Sequence, residues 1–258
     1  MQKYSIKTHK EDKLKMYFLS DFHLGSPNEK ESKEREKKVV QFLDSIKKDI
    51  THLFLVGDIF DFWFEYKYLI PKGWIRLLGK LAELNDNGVQ IFYFHGNHDM
   101  WFRDYFEKEL GIQFFKNETI FLVGDKKIMV GHGDEIENKS LFYLVIKYLY
   151  RNEFMKFLFR ILPPSLCIYL ALKVSQGSKE KNKIKDAIYL GEDKEFQIVF
   201  AKKYLQKEAI DYFVFGHRHY PNSIMINKSK FINLGDWVTH FTYAYYDGKK
   251  MELKKNDN

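Results

Sequence analysis

Apolar residues fall in short dense runs, separated by longer stretches that are apolar on one face only. The run over 14–20 is rich in Leu, Tyr and Phe and suits a buried strand ending at Asp21. A Glu/Lys-rich stretch from Glu29 then brings in Val39, Val40, Phe42, Leu43 and Ile46 at helical spacing, which predicts an amphipathic helix before the next apolar run at 52–56. The pattern recurs. Pro71 is expected to open a helix carrying Leu77, Leu78, Leu81 and Leu84, Asn87-Gly88 to close it, and 89–94 to form a third strand.

After Gly111 the texture shifts to short strands, 121–123 and 127–130, joined by a hairpin-like turn at Gly124-Asp125. From 135 to 205 the chain reads as helical, aromatic in its first half and charged in its second, before strands return at 211–215, 223–226, 231–234 and 241–246. These elements predict a two-sheet sandwich with outer helices, its core formed by 1–134 and 206–258, interrupted by a helical insertion within the same domain. The basic end, Lys254 to Asn258, is expected to fray.

Composition narrows the class. With 45% hydrophobic and 17% aromatic residues in 258, one packed core is expected rather than disorder. The net charge of +7 favours phosphate-bearing partners without choosing among nucleotides, nucleic acids and anionic lipid. A lone cysteine, Cys167, excludes an internal disulfide and a cysteine-based zinc site, which fits a reducing compartment. The charged opening MQKYSIKTHKEDK lacks the apolar core of a signal peptide, so a cytoplasmic location is expected. The most apolar region, 141–174, is broken by Lys147, Arg151, Glu153, Lys156, Arg160 and Pro163-Pro164. It cannot supply the ~20 residues that span a bilayer, although it could lie on one.

Five polar blocks follow predicted strands: Asp21-Phe22-His23, Gly57-Asp58, Gly96-Asn97-His98-Asp99, Gly131-His132-Gly133-Asp134 and Gly216-His217-Arg218-His219. Strand ends are where open sheets collect their ligands, and a glycine lets the chain turn there so that the next side chain enters a shared mouth. Singly, each residue has a bland alternative: Asp21 as a helix cap, His23 as a loop histidine, Asn97 as an Asx-turn. Together they offer imidazole, carboxylate and amide oxygen, the donors that suit manganese, iron(II) or zinc, with Asp58 as the candidate bridge between two ions. His9, His52, His95 and His240 lie outside the blocks and are expected to be structural.

The blocks resemble the D-x-H, G-D, G-N-H-D/E, G-H and G-H-x-H pattern of the calcineurin-like metallophosphoesterases, over nearly the whole chain. That resemblance implies an α/β (α+β) fold, a four-layer αββα sandwich with a helical lid. It further implies two divalent metal ions, Mn2+ first among them. Asp21, His23, Asp58 and His219 would hold one ion, and Asp58, Asn97, His132 and His217 the other. His98 would stay unligated and act on the transition state or leaving group, with Asp99 orienting its ring. Within the superfamily the chain is most similar to the UDP-2,3-diacylglucosamine pyrophosphatases of lipid A synthesis. The likeness rests on 58–63 (DIFDFW), 234–237 (LGDW), the insertion and the Ser-Lys-Glu run at 178–185.

By that resemblance Asn97, His98, His217, Ser178, Asn182 and Lys185 would contact an acylated UDP-sugar. On a helix the last three form one polar stripe. Phe142, Phe154, Phe157, Leu158 and Phe159 would face the acyl chains. The products would be UMP and 2,3-diacylglucosamine 1-phosphate, made by an enzyme peripheral on the cytoplasmic face of the inner membrane. Neither a nucleic acid nor an obligate protein partner is implied. The sequence departs from the family pattern at His98, where many members carry arginine, and near Asn138 and Ser140, where an acidic residue is expected. The alternatives are a phosphodiesterase or phosphatase acting on another nucleotide or phosphoester, and a noncatalytic nucleic-acid binder.

Overall fold

The computed structural model describes residues 1–6, 14–99, 101–136, 152–169 and 188–257. Two six-stranded sheets face each other. The first contains β2 (Met16–Leu19), β3 (His52–Val56), β4 (Gln90–Phe94) and β5 (Gln113–Phe115) in parallel, then β11 (Thr242–Tyr246) and β12 (Met251–Lys255), in the order β12-β11-β2-β3-β4-β5. The second has the order β1-β6-β7-β8-β10-β9. Its members are β1 (Gln2–Ile6), β6 (Thr119–Val123), β7 (Lys126–Gly131), β8 (Tyr212–Phe215), β9 (Asn222–Ile226) and β10 (Ser229–Asn233).

Strands β2 to β4 read as almost unbroken apolar runs because both of their faces are covered. Met16, Phe18, Phe54, Val56, Phe92 and Phe94 point inward and meet Phe121, Ile128, Val130, Val214 and Ile232 of the facing sheet. The alternate residues, Leu19, Leu53, Leu55, Ile91 and Tyr93, face outward onto α1 (Glu29–Ile46), α2 (Ile75–Asp86) and α3 (Tyr105–Leu110). The outer face of the second sheet, including Met129, Phe213 and Phe215, is covered by Ile198 and Ala201. Those two residues lie on the helix Phe196–Tyr204. Helix, sheet, sheet and helix therefore stack in the expected αββα order.

Two expectations need correction. The second helix starts at Ile75, four residues beyond Pro71, because Gly73 and Trp74 both take positive φ and cannot lie within a helix. Lys254 and Lys255 do not fray; they pair with Tyr243 and Thr242 as part of β12. The charged N-terminal stretch contains β1, which pairs in parallel with β6.

Within the helical section, α4 (Glu153–Ile161) is capped by the Asn152 side chain, which accepts from the Phe154 amide at 2.8 Å. Its Phe159 packs between Phe64 and Trp101, while Phe154 and Phe157 are exposed. The helix Phe196–Tyr204, hereafter α5, belongs to the packed layers. Phe142, Asn138, Ser140, Ser178, Asn182 and Lys185 lie outside the described residues. Among those described, no helix is long and apolar enough to cross a membrane.

Candidate dinuclear metal centre

All five blocks converge at one edge of the sandwich, and both sheets contribute. Asp21 and His23 follow β2, Asp58 follows β3 and Asn97 follows β4. From the facing sheet, His132 follows β7, and His217 and His219 follow β8. The loops after β2 and β3 run side by side, tied by Asp21 N to Gly57 O at 3.1 Å and His23 N to Asp58 O at 2.9 Å.

The backbone here is strained. Asp21, His23, Asp58 and His217 have φ values of 56°, 45°, 53° and 69°, the left-handed region that non-glycine residues occupy at a cost of ~1–3 kcal/mol each. Such concentration at four of seven expected ligands marks a site whose geometry is dictated by function rather than by local preference. The neighbouring glycines serve close approach. A Cβ on Gly96 would sit 2.0 Å from Asp58 Oδ1, and one on Gly57, itself at φ +81°, would sit 2.5 Å from His132 Nδ1.

The five blocks alone yield two donor sets, Asp21 with His23 and His219, and Asp58 with His132 and His217. Within each set, one ligand atom per residue lies within 4.8 Å of the others. Asp58 Oδ2 stands between the sets, 3.8 Å from His23 Nε2 and 3.5 Å from His132 Nε2. The residues fit a metal pair on two further counts. Asp21 Oδ1, Asn97 Oδ1 and His132 Nε2 are buried without a hydrogen bond, a costly state for polar atoms unless a cation takes them up. The donors are also of the oxygen and imidazole type that divalent ions of this class bind.

Electrostatics agree with the geometry. Burial alone would raise the Asp58 carboxyl, but the imidazoles of His132, His98 and His23 overcome it and hold the group well below the usual carboxylate range. Burial would lower His132, yet Asp58 prevails and pushes it up to about 10. A site that attracts a proton this strongly attracts a cation for the same reason.

Several partners were not legible as such in the sequence. The Val56 carbonyl lies 2.9 Å from His132 Nδ1, leaving Nε2 for the donor set. Asp236 Oδ2 lies 3.1 Å from His219 Nδ1 and is oriented by the amides of Thr239 and His240 on its other oxygen. Buried Arg35 of α1 donates to the carbonyls of Phe22, His23 and Ser26, clamping the first ligand loop.

Asp99 does not orient His98. Its two oxygens accept from the amides of Asp58, Ile59, Phe60 and Gly96 and from the Tyr93 hydroxyl, so it staples the second and third ligand loops together from below. Burial, with the nearby Asp58 charge, raises it to about 6. The carboxylate beside His98 is that of Asp61, 3.8 Å from Nδ1 and also 3.6 Å from His23 Nδ1. Only the LGDW and DIFD stretches hinted at Asp236 and Asp61; both depend on placement by distant parts of the chain.

The calcineurin-like phosphoesterase family matches residues 14–221. A UDP-2,3-diacylglucosamine hydrolase of Porphyromonas gingivalis is 34% identical over 258 aligned positions, covering 95% of this chain and 98% of the relative. One of Haemophilus influenzae is 27% identical, covering 87% and 91%. Among solved structures, an E. coli phosphoesterase aligns over 94% of this chain and 93% of its own, at 13% identity and a TM-score of 0.46. With its ligand blocks inside the matched range and gathered at one mouth, the chain belongs to the calcineurin-like phosphoesterase family.

Proposed function

We propose that this hydrolase cleaves the pyrophosphate bond of UDP-2,3-diacylglucosamine, yielding UMP and 2,3-diacylglucosamine 1-phosphate for lipid A synthesis. The observation that carries the reading is the pair of donor sets meeting at Asp58, within a chain similar along its length to hydrolases named for that substrate.

Asp21, His23, Asp58 and His219 would hold one divalent ion, and Asp58, Asn97, His132 and His217 the other, with Mn2+ the metal we favour. Such a pair supplies an activated water and neutralises charge on phosphoryl oxygens. The remaining chemistry belongs to side chains. His98, whose amide donates to Asp58 Oδ1 at 3.0 Å, presents its ring at the mouth, with Nε2 4.0 Å from Asp58 Oδ2. From there it donates to the phosphoryl oxygens or protonates the departing group. The Asp61 carboxylate lies 3.8 Å from the opposite nitrogen and supplies negative charge on that side of the ring.

The part of the 135–205 section that precedes α5 binds the rest of the substrate, with Ser178, Asn182 and Lys185 addressing the nucleotide sugar alongside Asn97, His98 and His217. Exposed Phe154, Phe157, Ile161, Leu162 and Leu166 support an apolar role for its first half, in contact with acyl chains at the cytoplasmic face of the inner membrane. The test is hydrolysis of the diacylated UDP-sugar with and without Mn2+, run beside an unlipidated nucleotide diester. Faster turnover of the soluble diester would transfer the reading to a general nucleotide phosphodiesterase.

A further inference from the structure

Arg218 sits between His217 and His219, which serve different donor sets, yet it takes no part in either. It is 4% exposed. Its Nη2 donates to the Ile188 carbonyl at 2.6 Å and to Glu195 Oε1 at 3.0 Å, and that same carboxylate oxygen accepts from the Leu190 amide at 2.9 Å. Glu195 is 6% exposed, so the ion pair is withdrawn from water at both ends. On either side, the Tyr220 ring stacks on Tyr189 at 5.8 Å, and Gln197 donates to the Gly216 carbonyl at 2.9 Å. The histidine loop thus grips the stretch 188–197 at successive points.

A buried ion pair is a poor source of stability, because desolvation offsets most of the attraction. What it supplies is geometry. The planar guanidinium can satisfy the carbonyl of Ile188 and the carboxylate of Glu195 together in few arrangements. Ile188 follows Lys185 by three residues in the chain, so the gripped stretch is the continuation of the run expected to address the nucleotide sugar.

We infer that Arg218 and Glu195 form a positioning pair that fixes the chain emerging from the Ser178-to-Lys185 run relative to the two metal-ligating histidines. The pair governs affinity for the acylated nucleotide sugar without entering the phosphoryl chemistry. This inference rests on the proposed substrate. A single sequence position between two ligands thereby links the part that reads the substrate to the part that cleaves it.

The test compares Arg218→Lys, Glu195→Gln and the charge-free double variant Arg218→Met with Glu195→Leu, the last keeping apolar volume if a single change prevents folding. Each is assayed as the Mn2+-loaded full chain on UDP-2,3-diacylglucosamine and on bis(p-nitrophenyl) phosphate, with bound manganese counted. The expected result is a KM for the acylated nucleotide raised about tenfold, kcat and small-diester turnover within about twofold of wild type, and metal content unchanged. Equal losses on both substrates, or a loss of manganese, would mean that Arg218 acts only through its histidine neighbours and would overturn the inference. Unchanged KM in all three variants would do the same. Wild-type protein that cleaves the small diester but not the acylated nucleotide overturns the proposed substrate instead, a result visible before any variant is made.

Discussion

The two ends of strand β3 each border a buried histidine, and their surroundings shift the two rings in opposite directions. At the start of β3, His52 stacks on Phe92 with its Nδ1 2.8 Å from the Thr51 hydroxyl, and burial alone pushes it down to about 4. At the far end, the Val56 carbonyl meets His132, equally buried, where Asp58 overrides burial and pushes the ring up to about 10. Burial therefore does not make a histidine functional. The carboxylate within reach does: β3 places His52 in an apolar interior, while β7 of the facing sheet delivers His132 to a mouth lined with acid.

The sharpest way to break this contrast is Asp58→Asn, which removes the charge and keeps the shape. Turnover should fall by ~10³-fold or more, since a metal pair contributes several kcal/mol of charge stabilisation. Bound metal should drop below two per chain, measured by elemental analysis beside the hydrolysis assay. His98→Gln should cost ~10²–10⁴-fold in kcat while leaving metal content intact, separating the acid–base role from ligation. Unchanged kcat would remove His98 from the chemistry. Asp236→Asn should weaken metal affinity ~10–100-fold through its effect on His219, read by metal titration of the chelated protein. An affinity equal to wild type would make Asp236 a loop brace only.

His52 offers the mildest and most discriminating case. Its folded value lies below the unfolded 6.5, so the unfolded chain binds the proton first and stability is lost as pH falls from about 6.5 to about 4. The loss attributable to this ring is ~3 kcal/mol, at ~1.4 kcal/mol per unit. His52→Phe should leave hydrolysis within about twofold and flatten the stability profile across that window relative to wild type, as chemical denaturation at several pH values would reveal. Parallel profiles for the two proteins would show that His52 is protonated alike in both states.

What was readable in the sequence follows the same division. Ligand blocks announce themselves because metal donors come from few residue types and must sit where strands end. Doubly covered strands announce themselves through unbroken apolar runs such as 52–56. The edge strands β1 and β12 do not: β1 carries Lys3, β12 carries Glu252, Lys254 and Lys255, and each lies at the border of its sheet and pairs with a single neighbour. Nor do the residues behind the ligands. Asp99 has the sequence position of a histidine's partner, but its direction is set by four backbone amides that the loops after β3 and β4 bring beneath it. Asp61, three residues beyond Asp58, is brought beside two histidines of other loops only by folding.

Each donor set draws on both sheets, with Asp21 and His23 from one meeting His219 from the other, and Asp58 from the first meeting His132 and His217 from the second. Two ions held there would act as rivets across the seam between the halves of the sandwich. Whatever free energy ties each cation to the folded chain is then also cohesion between the sheets, growing with the logarithm of metal concentration above its dissociation constant. For this protein, the supply of metal in its surroundings would set mechanical integrity and catalytic competence through the same few atoms.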